Sequence, residues 1–221
     1  MTENGEKIKI AVFDLDRTII KGTSAEFILI RYMKERGMIS YKNILNMFLF
    51  LFKNFRKGVN YAVFRNRAYL KGLKEEDVKK LLPDLWGKCL KQSMSEKIVQ
   101  QFRELREKGY YIVLISGALY FLLDLFNQYL GADQAIGSVP EINNGVFTGR
   151  LTFHPYFWDK VRVFNDVIEG MNVNLKESYM FADSITDVPL LKKCGNPVAV
   201  NPGIAMGIYC SIKGWKVIRH L

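Results

Sequence analysis

Two carboxylates separated by one residue, Asp14 and Asp16, end an apolar stretch that runs from Ile8 to Phe13. An apolar, β-branched run that stops at two acids is typical of a buried parallel strand whose carboxyl end opens into a polar site. A carboxylate at that position can attack phosphorus in line, and a second one can protonate the leaving alkoxide. We therefore take Asp14 as a candidate nucleophile and Asp16 as a candidate general acid and base.

Two later apolar runs also stop at polar residues. One run, residues 110–115, ends at Ser116 and Gly117, and the other ends at Asp183. Because the carboxyl ends of parallel strands meet at one edge of a sheet, these groups should lie beside the two aspartates. Lys160 begins the helix before the third strand. Together these residues are the parts that phosphoryl transfer through an aspartyl phosphate requires.

The roles follow from charge and ligand type. Asp14 and Asp183, with the main-chain carbonyl of Asp16, offer a hard oxygen site that suits Mg²⁺ better than zinc. Beside that cation and Lys160, Asp14 should stay ionised, and Asp16 should carry the proton. Asp187 would anchor Lys160 or a metal-bound water. Three groups would hold the phosphoryl oxygens: Ser116, the Gly117 amide and Lys160.

The elements that must position these groups are strands joined by helices, with one large insertion. The interval between the first two strands is much longer than a single crossover helix needs. We therefore expect residues 23–94 to form an inserted helical cap, and residues 1–22 and 95–221 to form an α/β core. Ser24 and Ser40 are predicted N-caps of the first two cap helices, and Pro83 should interrupt a later one.

The core after the cap has its own local signals. Asn144-Gly145 between two apolar segments predicts a β-hairpin. Helices are predicted over residues 119–130 and 159–169. Residues 197–200 read as the last core strand.

The sequence resembles the haloacid dehalogenase superfamily of phosphohydrolases, and within it the phosphoserine-phosphatase-like branch, subfamily IB. The resemblance rests on four segments in order: residues 13–18 (FDLDRT), residues 115–117 (ISG), Lys160, and residues 181–191 (FADSITDVPLL). It implies a Rossmann-like three-layer α/β fold, with a parallel sheet core and an inserted all-helical cap, and Mg²⁺-dependent hydrolysis of a phosphomonoester. Four residues of these segments are taken as phosphate-binding or supporting: Thr18, Gly117, Ser184 and Asp187.

The departures from the family bear on the substrate. In phosphoserine phosphatases a glutamate nine residues after the nucleophile binds the substrate amine, whereas here that position is Thr23 and the nearest acid is Glu26. Arg67 stands where the family's carboxylate-binding arginine would be. We take Glu26 and Arg67 as candidate substrate contacts. We expect a small phosphorylated metabolite or a lipid-derived phosphate as substrate, with phosphoserine turned over poorly.

Composition limits the partners. The 221 residues are 49% hydrophobic and carry a formal net charge of +10. The basic residues are taken to be spread over many helices, so no nucleic-acid partner is expected, whereas peripheral membrane contact through the cap stays open. The most apolar segment, residues 44–52, is about half the length of a membrane span. Residues 1–7 lack a signal-peptide core and the three cysteines are dispersed, which together favour a cytoplasmic protein.

Several of these residues could instead have a purely structural role. Ser184 would cap the following helix, Glu26 and Arg67 could equally lie at the surface, and the phenylalanines of residues 48–52 could form cap core or an oligomer interface. His154 and His220 stand apart from the carboxylates in the sequence, and no role is assigned to them.

Three other functions stay open from the sequence. A phosphotransferase of the same fold would use the same residues. A phospho-accepting signalling module, which also uses an aspartate, a hydroxyl and a lysine at strand ends, has no use for Asp16 or for a cap. A membrane-peripheral protein with a decayed site would have no need of intact acids. The oligomeric state is not predicted.

Overall fold

The structure is a computed structural model that describes residues 7–220, except for the side chain of Asn60. The prediction that the first seven residues carry no signal core therefore falls, Lys7 aside, outside the described residues. Among the residues described, no helix combines the length and the apolar character that crossing a membrane requires.

Seven strands form a single sheet at the centre of the described chain. They are β1 (Ile10–Phe13), β2 (Tyr111–Leu119), β3 (Gln134–Asn143), β4 (Val146–Phe153), β5 (Tyr179–Ala182), β6 (Asn196–Val200) and β7 (Lys216–Ile218). Their order across the sheet is β4-β3-β2-β1-β5-β6-β7. Only β3 and β4 pair antiparallel within these strands. β1 lies between β2 and β5 and is buried on both faces, which explains its uninterrupted apolar sequence.

The hairpin prediction is confirmed, and the prediction for the last strand is wrong. Asn144 and Gly145 join β3 to β4 with positive φ values of 49° and 74°, which these two residue types adopt most easily. Residues 197–200 are followed by β7, which pairs in parallel with β6. β7 has only three residues, two of them exposed, so its sequence shows almost no apolar pattern.

Helices cover both faces of the sheet. They are α1 (Ala25–Glu35), α2 (Tyr41–Asn54), α3 (Val59–Phe64), α4 (Glu75–Leu85), α5 (Glu96–Glu107), α6 (Tyr120–Leu130), α7 (Trp158–Ile168), α8 (Val188–Leu191) and α9 (Ile204–Lys213). Apolar side chains of α5 and α6 pack on one face with Phe13, and those of α7, α8 and α9 pack on the other with Val12. The predicted three-layer, mostly parallel α/β fold is thus confirmed.

The helix predictions are confirmed at the two caps and are wrong at Pro83. The Ser24 hydroxyl accepts a hydrogen bond from the Phe27 amide at 3.1 Å, and Ser40 forms a capping box with Asn43. Pro83 lies inside α4 and does not interrupt it. The helix α9 was not expected from its sequence.

The region from α1 to α4 consists of helices and short helical turns, and the chain enters and leaves it side by side. The Lys21 amide donates to the Ser93 carbonyl, and the Ser95 amide donates to the Ile19 carbonyl, both at 2.8 Å. The division into a core and a cap over residues 23–94 stays a prediction. Val78, Leu82 and Leu85 of α4 belong to the same buried cluster as the core helices, so this end of the region packs firmly on the sheet.

Candidate active site

Asp14 lies at the carboxyl end of β1, directly after the last paired residue. Its amide donates to the Phe181 carbonyl at 2.9 Å, which continues the pairing with β5 by one residue. Beyond it the chain leaves the sheet in a tight turn, in which Arg17 has a φ of 58°. This turn leaves the Asp14 carboxylate, which is 7% exposed, facing the end of the sheet.

Lys160, in the first turn of α7, is the direct partner of Asp14. Its Nζ lies 2.7 Å from Asp14 Oδ1 and 2.8 Å from Asp187 Oδ1. Burial disfavours the Lys160 charge, but the two carboxylates outweigh burial and raise its pKa above the usual range. Lys160 therefore stays a cation at the point where a phosphoryl group would carry its negative charge.

Asp183, after β5, completes a cluster of acids that could hold a metal. Carboxylate oxygens of Asp14, Asp183 and Asp187 all lie within 4.8 Å of one another. Oxygen ligands at this spacing suit Mg²⁺, so the residues present fit the expected cation. The Asp183 Oδ2 also lies 3.0 Å from Arg17 Nε. Burial, followed by the charge of Asp14, raises the pKa of Asp183 to about 7.

Asp16 faces the first helix of the cap region. Its Oδ1 accepts a hydrogen bond from the Ala25 amide at 2.8 Å, at the amino end of α1. Burial raises the pKa of Asp16 to about 6, against the stabilising Ala25 hydrogen bond. For Asp14 burial is opposed by Lys160, and the pKa is raised to about 7.

The predicted split between the two aspartates assumes a cation beside Asp14. Without one, burial raises the pKa of both carboxyl groups. A divalent cation beside a carboxylate favours its ionised form. The prediction of an ionised Asp14 therefore depends on a bound metal, and Lys160 alone does not secure it.

A cavity of about 470 Å³ opens over these groups. Its walls contain every candidate site residue except Thr18: Asp14, Asp16, Glu26, Arg67, Ser116, Gly117, Lys160, Asp183, Ser184 and Asp187. Thr18, predicted to bind or support the phosphate, is fully buried, and its hydroxyl has no hydrogen-bond partner among the described residues. Among the described lining residues, five acids face three basic side chains, an excess of negative charge that a divalent cation would offset.

The hydroxyl groups predicted to bind or support the phosphate differ in the hydrogen bonds they already make. The Ser116 hydroxyl accepts a hydrogen bond from the Ala118 amide at 3.2 Å and still has its own proton to donate. The Ser184 hydroxyl lies 2.9 Å from Thr186 Oγ1 and accepts from the Thr186 amide, so it caps the short turn at residues 185–187. Ser116 is thus the more available hydroxyl.

Glu26 and Arg67 are engaged mainly with each other and with the protein. Glu26 Oε1 lies 2.5 Å from Arg67 Nε and accepts a hydrogen bond of 2.5 Å from the Tyr69 hydroxyl. The remaining guanidinium nitrogens of Arg67 donate to the carbonyls of Phe64 and Gly117, at 2.9 and 3.1 Å. Little hydrogen-bonding capacity of this arginine is left for a substrate carboxylate.

His154, to which the sequence assigned no role, lines the same cavity. Its side chain is buried, its Nδ1 lies 2.7 Å from Ser138 Oγ, and its ring stacks on Tyr156. Burial, with the nearby charges of Arg67 and Arg65, lowers the pKa of His154 to about 3. The residue follows β4, and only the antiparallel hairpin brings it back over the site, so no local sequence signal identifies it.

Comparison with known proteins places this geometry in a family. Residues 11–192 match the haloacid dehalogenase-like hydrolases. Phosphoserine phosphatase SerB1 of Mycobacterium tuberculosis is 28% identical over 216 residues, which are 94% of this chain and 69% of that protein.

Solved structures share the fold. A protein of unknown function from Bordetella pertussis Tohama I superposes with a TM-score of 0.81 at 21% identity, over 98% of this chain and all of that one. A phosphoserine phosphatase captured as an analogue of its phosphoaspartyl intermediate superposes with a TM-score of 0.66 at 19% identity, over 98% and 95% of the two chains. The match over most of the chain, together with the acids and the lysine at the sheet edge, shows that this protein is a phosphatase of the haloacid dehalogenase-like hydrolase family.

Proposed function

We propose that this protein hydrolyses phosphomonoesters through an aspartyl phosphate formed on Asp14, with Mg²⁺ as cofactor. The observation that carries the proposal is the buried pair of Asp14 and Lys160, 2.7 Å apart in a cavity that Asp183 and Asp187 also line. A nucleophile that must approach an anionic phosphoryl group needs such a fixed cation beside it. Mg²⁺ would be held by Asp14, Asp183 and the Asp16 carbonyl, and would supply charge neutralisation on the phosphoryl oxygens.

The reaction proceeds in two balanced steps. An Asp14 carboxylate oxygen attacks phosphorus, the bond from phosphorus to the ester oxygen breaks, and the leaving alkoxide takes a proton from Asp16. Asp16 then removes a proton from water, and the resulting hydroxide attacks the phosphorus of the aspartyl phosphate. Inorganic phosphate leaves and both carboxyl groups return to their starting state. Ser116, the Gly117 amide and Lys160 would hold the phosphoryl oxygens during both steps.

The test compares two aspartate variants on p-nitrophenyl phosphate with and without Mg²⁺. Asp14→Asn should abolish turnover and also the acyl phosphate that hydroxylamine cleaves. Asp159→Asn is the matched control, because this residue lies on α7 next to Lys160 yet forms only a surface pair with Arg162. Turnover that survives in Asp14→Asn, or that does not depend on a divalent cation, would contradict the proposal.

The same residues would serve a phosphotransferase, so the acceptor must be determined. Product analysis by phosphorus NMR in water containing a large excess of a simple alcohol separates the two activities. Formation of inorganic phosphate alone supports hydrolysis. A new alkyl phosphate as the main product would show transfer to an alcohol instead.

Phosphoserine is a poor fit to the substrate end of the cavity. Thr23 lines the cavity where an amine-binding acid would stand, and Glu26 and Arg67 satisfy each other. An amino acid head group would have to compete with this buried pair, although the M. tuberculosis relative is named a phosphoserine phosphatase. Phe27, Val63 and Phe64 also line the cavity and are all partly exposed. Apolar residues at the rim support a lipid-derived phosphate as substrate.

A matched set of phosphates tests the substrate class. Glycerol 3-phosphate, its monoacyl derivatives of increasing chain length, and phosphoserine should be compared by kcat/KM below the micelle concentration. The value should rise with chain length and should be lowest for phosphoserine. Efficient turnover of phosphoserine with no gain from an acyl chain would refute the assignment.

A cytoplasmic location, which the three free cysteines support, stays a prediction.

A further inference from the structure

The helix α2 carries its apolar side chains on the solvent side. The residue of α2 that is buried is a polar one, Asn43, whose Nδ2 donates to the carbonyls of Tyr69 and Lys71 at 2.9 and 3.0 Å. Asn66 fixes the same helix by donating to the Met47 carbonyl at 3.0 Å. A surface helix normally turns its apolar stripe towards the core. Here polar bonds, with the half-buried Met47, hold the inner side of α2, and the apolar stripe is left outside.

That stripe forms one continuous exposed surface, which we name the apolar face. Its residues lie along α2, the turn after it and α3, and each is at least 49% exposed: Tyr41, Leu45, Phe48, Phe52, Phe55, Val59 and Val63. An open groove of about 750 Å³ runs between α2 and α3 along most of this face. Adjoining exposed apolar side chains in this number are typical of an interaction site.

The charge around the apolar face has a single sign. Residues 36–74 contain nine lysines and arginines and no aspartate or glutamate, so this segment supplies nine of the ten net positive charges. The 32 basic residues occur along the whole chain, as predicted, so the lack of acids is what sets this segment apart. Lys53, Arg56 and Lys57 are exposed and line the groove or adjoin it.

We propose that the apolar face docks on an anionic lipid bilayer. Exposed phenylalanines flanked by lysine and arginine are the combination that inserts into a charged lipid interface. A second copy of this chain would bring the same positive charge, and a nucleic acid would leave the phenyl rings uncovered. Val63 belongs to the apolar face and also lines the active-site cavity, so the docked bilayer would lie beside the cavity mouth. The docking does not depend on the proposed catalytic mechanism.

Vesicle sedimentation tests the docking. The full chain should bind vesicles of phosphatidylcholine with roughly 30% phosphatidylglycerol, bind neutral vesicles weakly, and lose binding as salt rises. The double variants Phe48→Ser/Phe52→Ser and Lys53→Glu/Lys57→Glu should each weaken binding about tenfold or more. The matched control is Ile208→Ser/Ile212→Ser, because these residues are as exposed on α9. All variants should keep p-nitrophenyl phosphate turnover, which shows that they are folded.

Three results would overturn the docking proposal. The first is equal binding to neutral and anionic vesicles, or no binding to either. The second is a dimer by light scattering that Phe48→Ser/Phe52→Ser dissolves, since the apolar face would then pair two copies. The third is salt-sensitive binding to duplex DNA by a protein that does not bind vesicles.

A separate observation concerns the unused nitrogen of His154. The Ser138 hydroxyl donates to the Gly117 carbonyl at 2.6 Å, because a carbonyl can only accept. With its one proton used there, Ser138 Oγ must accept from His154 Nδ1, 2.7 Å away. The proton of the neutral ring is thus on Nδ1, and Nε2 is a bare acceptor. This Nε2 is buried and has no hydrogen-bond partner among the described residues.

The ring is held rigidly beside the phosphoryl-binding segment. Its face stacks on Tyr156, which stacks in turn on Phe64. A Cβ placed on Gly117 would come within 3.3 Å of His154 Cε1, so the ring touches the segment predicted to hold the phosphoryl oxygens. A donor that reached this acceptor would lie close to the phosphoryl group.

We infer that His154 Nε2 accepts a hydrogen bond from a hydroxyl group near the phosphoester of the substrate. This inference rests on the proposed phosphatase function and names the group that its site selects. Two phosphates that differ by that group, 2-hydroxyethyl phosphate and ethyl phosphate, measure the selection. Pairing this buried acceptor with the substrate hydroxyl should raise kcat/KM for 2-hydroxyethyl phosphate about tenfold over ethyl phosphate.

Two variants locate the selection on His154. His154→Phe keeps the ring stack but removes the acceptor, and should bring the two kcat/KM values close together. His154→Gln places an amide oxygen near the Nε2 position and should restore part of the difference. A ratio that is the same in wild type and His154→Phe would overturn the inference, whereas absence of turnover of both esters by the wild type would overturn the proposed function.

Nitrogen NMR provides a measurement that needs no turnover. The chain has two histidines, so a His154→Gln spectrum assigns the ring. In Asp14→Asn protein, 2-hydroxyethyl phosphate should shift the resonance of an unprotonated Nε2, and ethyl phosphate should not. A proton found on Nε2 at neutral pH would refute the assignment.

Discussion

The buried neutral state of His154 makes a quantitative prediction about stability and pH. Its pKa is about 3 in the folded chain and 6.5 in an unfolded reference. Between these values the unfolded chain binds more protons than the folded chain, so stability falls as the pH drops below 6.5 and is unaffected above it. At about pH 5 the difference amounts to about 2 kcal/mol. Any folded-state pKa below about 4 gives nearly the same figure, so the prediction does not depend on the exact value.

Substitution by a residue that does not titrate should remove this loss. His154→Asn keeps an N–H that can donate to Ser138 and lacks the titrating ring. We expect the free energy of unfolding of the wild type, relative to His154→Asn, to fall by about 2 kcal/mol between about pH 8 and pH 5. The wild type must be compared with His154→Asn at each pH, because other groups also change the stability. Buried acids such as Asp16, whose pKa is raised, stabilise the fold as the pH falls over the same range. These acids contribute equally to both proteins.

Urea unfolding at both pH values, followed by circular dichroism, measures the effect. His220→Asn is the matched control for the loss of a histidine. Its free energy of unfolding, relative to His154→Asn, should fall between pH 8 and pH 5 as that of the wild type does. If the free energies of unfolding of the wild type and His154→Asn change equally from pH 8 to pH 5, His154 is not held neutral by burial. The proton assignment on its ring would then fail as well.

Three further outcomes follow from the geometry. Asp16→Asn should slow alkyl phosphates about a hundredfold or more and p-nitrophenyl phosphate much less, because nitrophenolate leaves without an acid; equal losses in steady-state kinetics would argue against that role. Lys160→Met should lower kcat by about 10²- to 10³-fold and should also reduce the melting temperature, since two buried carboxylates lose their cation. Gly195→Ala should destabilise the fold by about 2 kcal/mol or more in urea unfolding, because the added Cβ would lie 2.0 Å from the Lys176 carbonyl oxygen; a neutral effect would mean that this loop yields easily.

Much of the site could be predicted from the sequence because parallel strands place their carboxyl ends together. Asp14, Ser116 and Asp183 each follow a buried strand, and their meeting requires only that the strands be neighbours. The order β2-β1-β5 meets that requirement. Helix caps such as Ser24 are equally local, since the side chain bonds an amide three residues away.

What the sequence could not reveal depends on direction and distance. The period of α2 identifies an apolar stripe but not whether it faces the core or the solvent; that is decided by the bonds of Asn43 to carbonyls far along the chain. His154 reaches the site only because β4 folds back antiparallel on β3. β7 is too short and too exposed for a pattern. In each case long-range contacts override or replace the local signal.

The Gly117 carbonyl joins the parts of the site that the sequence treats separately. It accepts from Arg67 and from Ser138, which in turn holds His154. The arginine at the family's carboxylate-binding position is thus committed to ordering the phosphoryl-binding segment and balancing Glu26. These contacts hold the backbone of the phosphoryl-binding segment whichever substrate is present. An arginine matched by position alone therefore gives no evidence for a carboxylate on the substrate, and the acceptor on His154 is the better guide to what this cavity selects.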